Sequence, residues 1–323
     1  MRILIADYAT QAGGQGGALW ALRQYATGFR RLGHNVQVTD KPDGDFDLVI
    51  NTSGLLAPDA IADIPIRVYL DLDPAFNQFW HEEGVDRRFD GHTHFVTVGQ
   101  AIGRSSCEVP THGLRWITTF PPVVLDDWPR ANGIDTDALT TVANLRSYGS
   151  IQRGDLLLGQ KVHSLRALIS LPTRTGERFV LAMQVHPADR HDMVALAENG
   201  WEVVDPITAA GTPDLYHRFV QGSRAEIGIA KSGYVASRCG WFSDRSAFYL
   251  ASGRPVAAQD TGFSQFVPTG DGLVAFDDED SAVAAVGSIG RDYAHHSRAA
   301  RELAEEFFDS NRVLTRLLAA VAD

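Results

Sequence analysis

The 323-residue sequence predicts a doubly wound α/β protein, with two Rossmann-like domains whose parallel sheets face a central cleft. Three observations predict it. Short apolar runs ending in polar or glycine-bearing loops alternate with segments of helical spacing. One proline-rich stretch interrupts the alternation near the middle. Hydrophobic residues make up 44% and charged residues 21%, an ordinary globular balance with core enough for two compact units.

The chain opens as strand, loop and helix. Residues 3–6 are a buried apolar strand that ends at Asp7, and the small-residue loop 9–17 follows. Leu19, Leu22, Tyr25, Ala26 and Phe29 then recur at helical spacing, with Gly33 as the stop. Further strands are expected at residues 36–39, 46–51, 66–70 and 95–98. Between residues 117 and 138 the pattern breaks: Pro121-Pro122, Trp128-Pro129 and Asn132-Gly133 have the composition of a linker. Alternation then restarts, with strands expected at 140–145, 179–185, 202–204, 225–230, 255–259 and 273–276. Helices fit at 161–170, 188–198, 213–221, 243–251 and 280–289, and nearly all of 292–321 reads as helix. The division is a first domain over 1–130, a second over 131–308, and a packing helix in 309–323 that can cross back to the first domain.

Composition narrows the function. Lys plus Arg total 29 against 40 Asp plus Glu, a net charge of −11 that argues against nucleic-acid and anionic-membrane partners. No run approaches the ~18 apolar residues of a membrane span, and the start of the chain lacks a signal peptide, so a cytoplasmic protein is expected. Cys107 and Cys239 read as reduced thiols. The eleven histidines show no metal-ligand spacing; His92 with His94, His186 with His191 and the adjacent His295-His296 fit surface or capping roles. Neither a Gly-x-Ser-x-Gly elbow nor a phosphate loop ending in Gly-Lys-Ser/Thr is present.

Sheets of this kind bind ligands beyond the carboxyl ends of their strands, so loops after strands carry the candidate chemistry. Gly14, Gly16 and Gly17 lie in the first such loop, where backbone amides can approach a phosphate or sugar at a helix start; a plain surface loop is the alternative. A dinucleotide is disfavoured even though Asp40 ends the second strand, because the sixth position counted from Gly14 is Leu19 rather than Gly or Ala. Asp71 and Asp73 follow a strand; a divalent metal and a simple turn are both open, and Asp73 is placed in the cleft as a hydroxyl acceptor or general base. Arg146, Arg153 and Lys161 cluster among glycines after the first strand of the second domain, suited either to a pyrophosphate or to solvent. Ser243 is a candidate N-cap whose helix start offers free amides to phosphate, and Asp244 suits a sugar hydroxyl. Gln259, Asp260, Thr261 and Gly262 form a polar strand-end loop; capping and turn chemistry explain part of Ser243 and Gly262 in any case.

The run Ser243-Asp244-Arg245, the turn Ala251-Ser252-Gly253-Arg254-Pro255-Val256 and the loop Gln259-Asp260-Thr261-Gly262-Phe263 resemble the donor-binding half of GT-B glycosyltransferases. Asp71-Leu72-Asp73-Pro74, Pro121-Pro122-Val123-Val124, Tyr148-Gly149 and Gly159-Gln160-Lys161 extend the resemblance over most of the chain. One departure stands out: Gly240 and Phe248 occupy the positions at which many retaining members carry two glutamates eight residues apart.

The resemblance implies transfer of a sugar from a UDP-, GDP- or TDP-sugar to an acceptor of unknown class, with no essential metal. Asp73 and Lys161 would be catalytic. Arg153, Lys161 and the amides near Ser243 would face the departing diphosphate; Gln259, Asp260 and Thr261 would hold donor hydroxyls, and Arg245 would belong to the donor-binding set. The same fold leaves open a nucleotide-sugar 2-epimerase and a non-catalytic nucleotide-sugar binding protein.

Overall fold

The computed structural model describes residues 1–11 and 13–322. Its first sheet is built from β1 (Arg2–Ala6), β2 (Asn35–Val38), β3 (Leu48–Thr52), β4 (Ile66–Asp71), β5 (His94–Thr97) and β6 (Trp116–Thr118), in the order β2-β1-β3-β4-β5-β6. Every pairing is parallel. Next come β7 (Thr136–Asn144) and an antiparallel hairpin of β8 (Ile151–Arg153) and β9 (Leu156–Leu158). Then β10 (Phe179–Gln184), β11 (Trp201–Val204), β12 (Ser223–Gly228), β13 (Val256–Gln259) and β14 (Leu273–Phe276) complete a second six-stranded parallel sheet, ordered β11-β10-β7-β12-β13-β14. Among the described residues no helix is long and apolar enough to cross a membrane.

The sequence missed the short elements. β6 has three residues, and the hairpin strands have three each, too short for period-2 alternation to register. The helix expected over 161–170 stops at Ala167, and a second short helix, Leu171–Thr175, follows with Pro172 in its first turn.

Both sheets change winding direction beside their first strand: β1 lies between β2 and β3, and β7 between β10 and β12. Crevices open at such switch points, outside the carboxyl ends. The helix Gly16–Arg31 follows β1 and buries Trp20, Tyr25, Ala26 and Phe29. The C-terminal helix Ser310–Val321 packs on it, placing Leu314, Leu317 and Val321 in one core with Ile3, Ile5 and Phe29. Across the connector, Trp128 stacks on Phe248 at 4.5 Å between ring centroids. The two passages of chain between the halves are bonded to each other: the Val123 amide donates to the Phe308 carbonyl at 2.7 Å and the Ser310 amide to the Val123 carbonyl at 2.9 Å.

The halves also touch away from the connector, through buried backbone. Gly99 and Trp241 form an antiparallel bridge, with the Ala101 amide donating to the Cys239 carbonyl at 3.0 Å.

Candidate active site

A cleft of about 1110 Å³ lies where the carboxyl ends of β1, β3, β4, β7 and β10 converge. Its walls include Asp7, Ser53, Asp73, Arg87, Arg146, Tyr148, His186 and Lys231. Both domains contribute, as the fold requires.

Asp73 is the hub of the site. Lys231, three residues beyond β12, donates from Nζ to both carboxylate oxygens of Asp73, at 3.1 and 3.2 Å. The hydroxyls of Tyr148 and Tyr234 donate to the same carboxylate, and Lys231 also bonds to the Tyr148 hydroxyl. Asp73 comes from the first domain and the other three residues from the second, so this cluster spans the cleft. Burial pushes the Lys231 ammonium toward losing its proton, and the negative charge of Asp73 pulls the other way. Burial, reinforced by Asp73, raises both tyrosine hydroxyls well above their ordinary range, so they remain donors. Lys231 also lies 4.2 Å from the Tyr148 ring centroid, a cation–π contact.

Asp71 does not join Asp73 in a metal site. It is fully buried at the end of β4 and accepts from Asn77 at 2.6 Å, Gln78 at 2.8 Å, Thr97 at 2.8 Å and the Asp73 amide at 3.0 Å. Those bonds fix the loop that aims Asp73 outward. Asn77 is oriented in turn by Arg87, which donates to its carbonyl oxygen at 2.6 Å.

Several residues singled out from the sequence lie elsewhere. Lys161 sits beneath the site, 9% exposed, with Nζ donating to the Ile229 carbonyl. Burial, then the nearby charges of Arg245 and Lys231, hold its ammonium well below its ordinary range. An amine held that way is a brace under the β12 loop rather than a phosphate clamp. Arg153, at the end of β8, pairs with Glu82 at 3.0 Å and borders a separate groove of about 750 Å³. Arg245 is committed to the fully buried Glu226 at 2.5 Å and to the Val142 carbonyl at 2.9 Å.

The strand-end loop after β13 is bonded to its own turn and to the segments beside it. Gln259 accepts from the Ala230 amide at 3.3 Å, and Thr261 donates to the Trp241 carbonyl. Asp260 accepts from the Gly262 amide at 2.9 Å and the Ser264 hydroxyl at 2.7 Å. Gly262 takes φ +94°, which only glycine adopts readily, against the Arg238 carbonyl. Ser243 occupies the N-cap position of the helix Asp244–Ala251 without a capping bond; its hydroxyl points to Asp244 at 3.4 Å. Asp244 reaches a smaller chamber beside the cleft.

The glycine loop has a packing explanation. A methyl group at Gly16 would overlap the Ala210 and Thr212 carbonyls, one at Gly17 would sit 2.8 Å from the Tyr216 ring, and one at Gly14 3.1 Å from Ile207. These glycines let the first helix of one domain approach the other domain; Gln11, Gln15 and Ala18 of the same segment line the cleft. Gly16→Ala is expected to cost about 1–3 kcal/mol through this overlap with backbone, seen as a lower thermal unfolding midpoint.

Sequence reasoning passed over Lys231 and Tyr234, and it noted Tyr148 only within a motif. The usable signal was position: a lysine just past the expected strand 225–230 stands at that strand's carboxyl end. Charge clustering drew attention instead to the hairpin, whose arginine faces outward.

No family model matches the chain, and no curated protein matches it. Solved structures do. AviGT4, a glycosyltransferase involved in avilamycin A biosynthesis, superposes with a TM-score of 0.64 at 13% identity, over 100% of this chain and 97% of that one. HepE of Anabaena in complex with UDP-glucose gives a TM-score of 0.63 at 16% identity, over 99% of this chain and 100% of that one. An α-glucosyltransferase in complex with UDP and a 13-mer DNA gives 0.69 at 11% identity, over 100% of both chains. From its first strand to its C-terminal helix, therefore, this chain has the GT-B fold found in glycosyltransferases.

Proposed function

We propose that the protein transfers a sugar from a nucleoside-diphosphate sugar to a small-molecule acceptor, in the cleft between its two sheets. The observation that carries this reading is the cluster of Asp73 with Lys231, which places one carboxylate and one cation on opposite walls of the cleft. The structural neighbours that hold UDP or UDP-glucose support the donor class.

In the free protein Lys231 is spent on Asp73. A donor diphosphate competes for Lys231 and for Arg146, which now pairs with Asp189 at 3.0 Å. As the bond from the sugar's anomeric carbon to the diphosphate breaks, these cations take up the charge of the leaving group. Asp73, released from Lys231, accepts the proton of the acceptor hydroxyl as its oxygen bonds to the anomeric carbon. Because side-chain cations carry the diphosphate, turnover is expected to persist in EDTA. The net charge of −11 favours a small acceptor over DNA.

The test is a thermal-shift and nucleotide-release screen across UDP-, GDP- and TDP-sugars. Stabilisation by one nucleotide class, with its release accelerated by an acceptor, is expected. Interconversion of the donor without an acceptor would assign an epimerase instead; binding without any turnover would leave a binding protein. Lys231→Met should remove most nucleotide release, whereas Lys161→Met, acting only through the Ile229 carbonyl, should reduce it less. Equal losses would return Lys161 to the diphosphate.

A further inference from the structure

We propose that the small chamber beside the cleft receives an acceptor ring bearing a free amine, such as an amino sugar or aminocyclitol. This deepens the glycosyl-transfer reading and rests on it. The chamber measures about 220 Å³ and shares Asp7 and Leu72 with the main cleft. It lies below the roughly 300–1,000 Å³ that larger ligands occupy, so it suits a single ring and excludes a nucleotide.

Its walls combine four aromatic side chains, Tyr25, Trp241 and the buried Phe242 and Phe248, with two carboxyl groups, one from each domain. Asp7, at the end of β1, accepts from the Ala9 amide at 2.7 Å and lies beside Thr52; it has no ion pair among the described residues. Asp244 receives the Ser243 hydroxyl at 3.4 Å, while its neighbour Arg245 is turned to Glu226. Tyr25, 4% exposed, lines the same space, and its hydroxyl has no partner. The chamber thus holds spare acceptors, apolar walls and an unpaired hydroxyl, with no cation among its lining residues.

Burial pushes both carboxyls upward, away from the charged form. A neutral ring leaves that cost in place. An ammonium group removes it by pairing with one carboxylate inside apolar walls, where the charge pair is little screened. The other carboxylate and Tyr25 then pair with ring hydroxyls.

The test titrates glucose, glucosamine and N-acetylglucosamine into the full-length protein by calorimetry at neutral pH, where no turnover is needed. Glucosamine should bind about tenfold more tightly than glucose, and acetylation of the amine, which removes its charge, should abolish the gain. Of Asp7→Asn and Asp244→Asn, the one at the ammonium's partner should bring the ratio near one and the other should weaken glucose and glucosamine alike, with circular dichroism unchanged in both. Equal affinity for the three sugars, absent glucosamine binding at millimolar concentration, or a preference that survives both substitutions overturns the proposal. Nucleotide release is measured in parallel. Amine preference without donor turnover would sink the transferase reading and keep the chamber; turnover with neutral acceptors and no amine preference would sink the chamber alone.

Discussion

Asp73→Asn should lower turnover by about 10²–10³-fold, within the range that general-base catalysis contributes, while leaving the fold intact. Asparagine has nearly the same shape; Tyr148 and Tyr234 donate to different oxygens of Asp73, so one keeps a carbonyl acceptor and the other turns its hydroxyl to accept from the amide NH2. What it removes is the charge opposite Lys231 and the capacity to take a proton. The sign of the accompanying pH effect follows from the same contacts. Burial lowers the affinity of Lys231 for its proton and Asp73 restores part of it. Without Asp73 only the burial remains, so Lys231 becomes neutral at lower pH, and the alkaline limb of the residual activity should move down. Lys231→Met alone should also be severe, and the double variant hardly worse than the more damaging single one, because the two side chains act as a unit. A pH–rate profile of the three variants, with donor affinity measured separately, decides the matter. Full activity in Asp73→Asn would remove this carboxylate from the chemistry.

The second large effect concerns stability. Arg245→Ala should cost about 3–5 kcal/mol, the usual penalty for stripping one partner from a buried ion pair. Glu226 is 0% exposed, faces Arg245 at 2.5 Å, and its second carboxylate oxygen has no other partner. The variant strands a charge inside the second sheet, and urea denaturation followed by tryptophan fluorescence should give a clearly lower midpoint. Replacing both residues, Arg245→Met with Glu226→Leu, should recover most of the loss, since apolar side chains of similar volume need no counter-charge. An unchanged midpoint with weakened donor binding would instead move Arg245 into the donor site.

The contrast between Arg245 and Lys231 explains how much a reader of the sequence could see. The buried strands were legible because both faces of a parallel sheet are covered, leaving apolar runs such as those of β1, β10 and β13. The three-residue strands and the helix Ser232–Ser237 carried too few residues for any periodicity. For the site, the strand ends were the right places to search, and Asp73 stands there. Which cations face the cleft was legible only in part: Arg146, singled out after β7, lines it, whereas Arg245 and Lys161 turn inward to buried partners and the unremarked Lys231 faces Asp73, directions that depend on packing between distant segments. The glycine loop shows the same ambiguity, since a residue without a side chain serves a ligand and a neighbouring helix equally well.

The two chain passages tied together at Val123 and Ser310 have a mechanical consequence. The halves are joined there, again where Gly99 meets Trp241, and again where the first helix meets Ala210 and Tyr216. Held along several lines instead of one hinge, they brace the cleft in the form that brings Asp73 to Lys231.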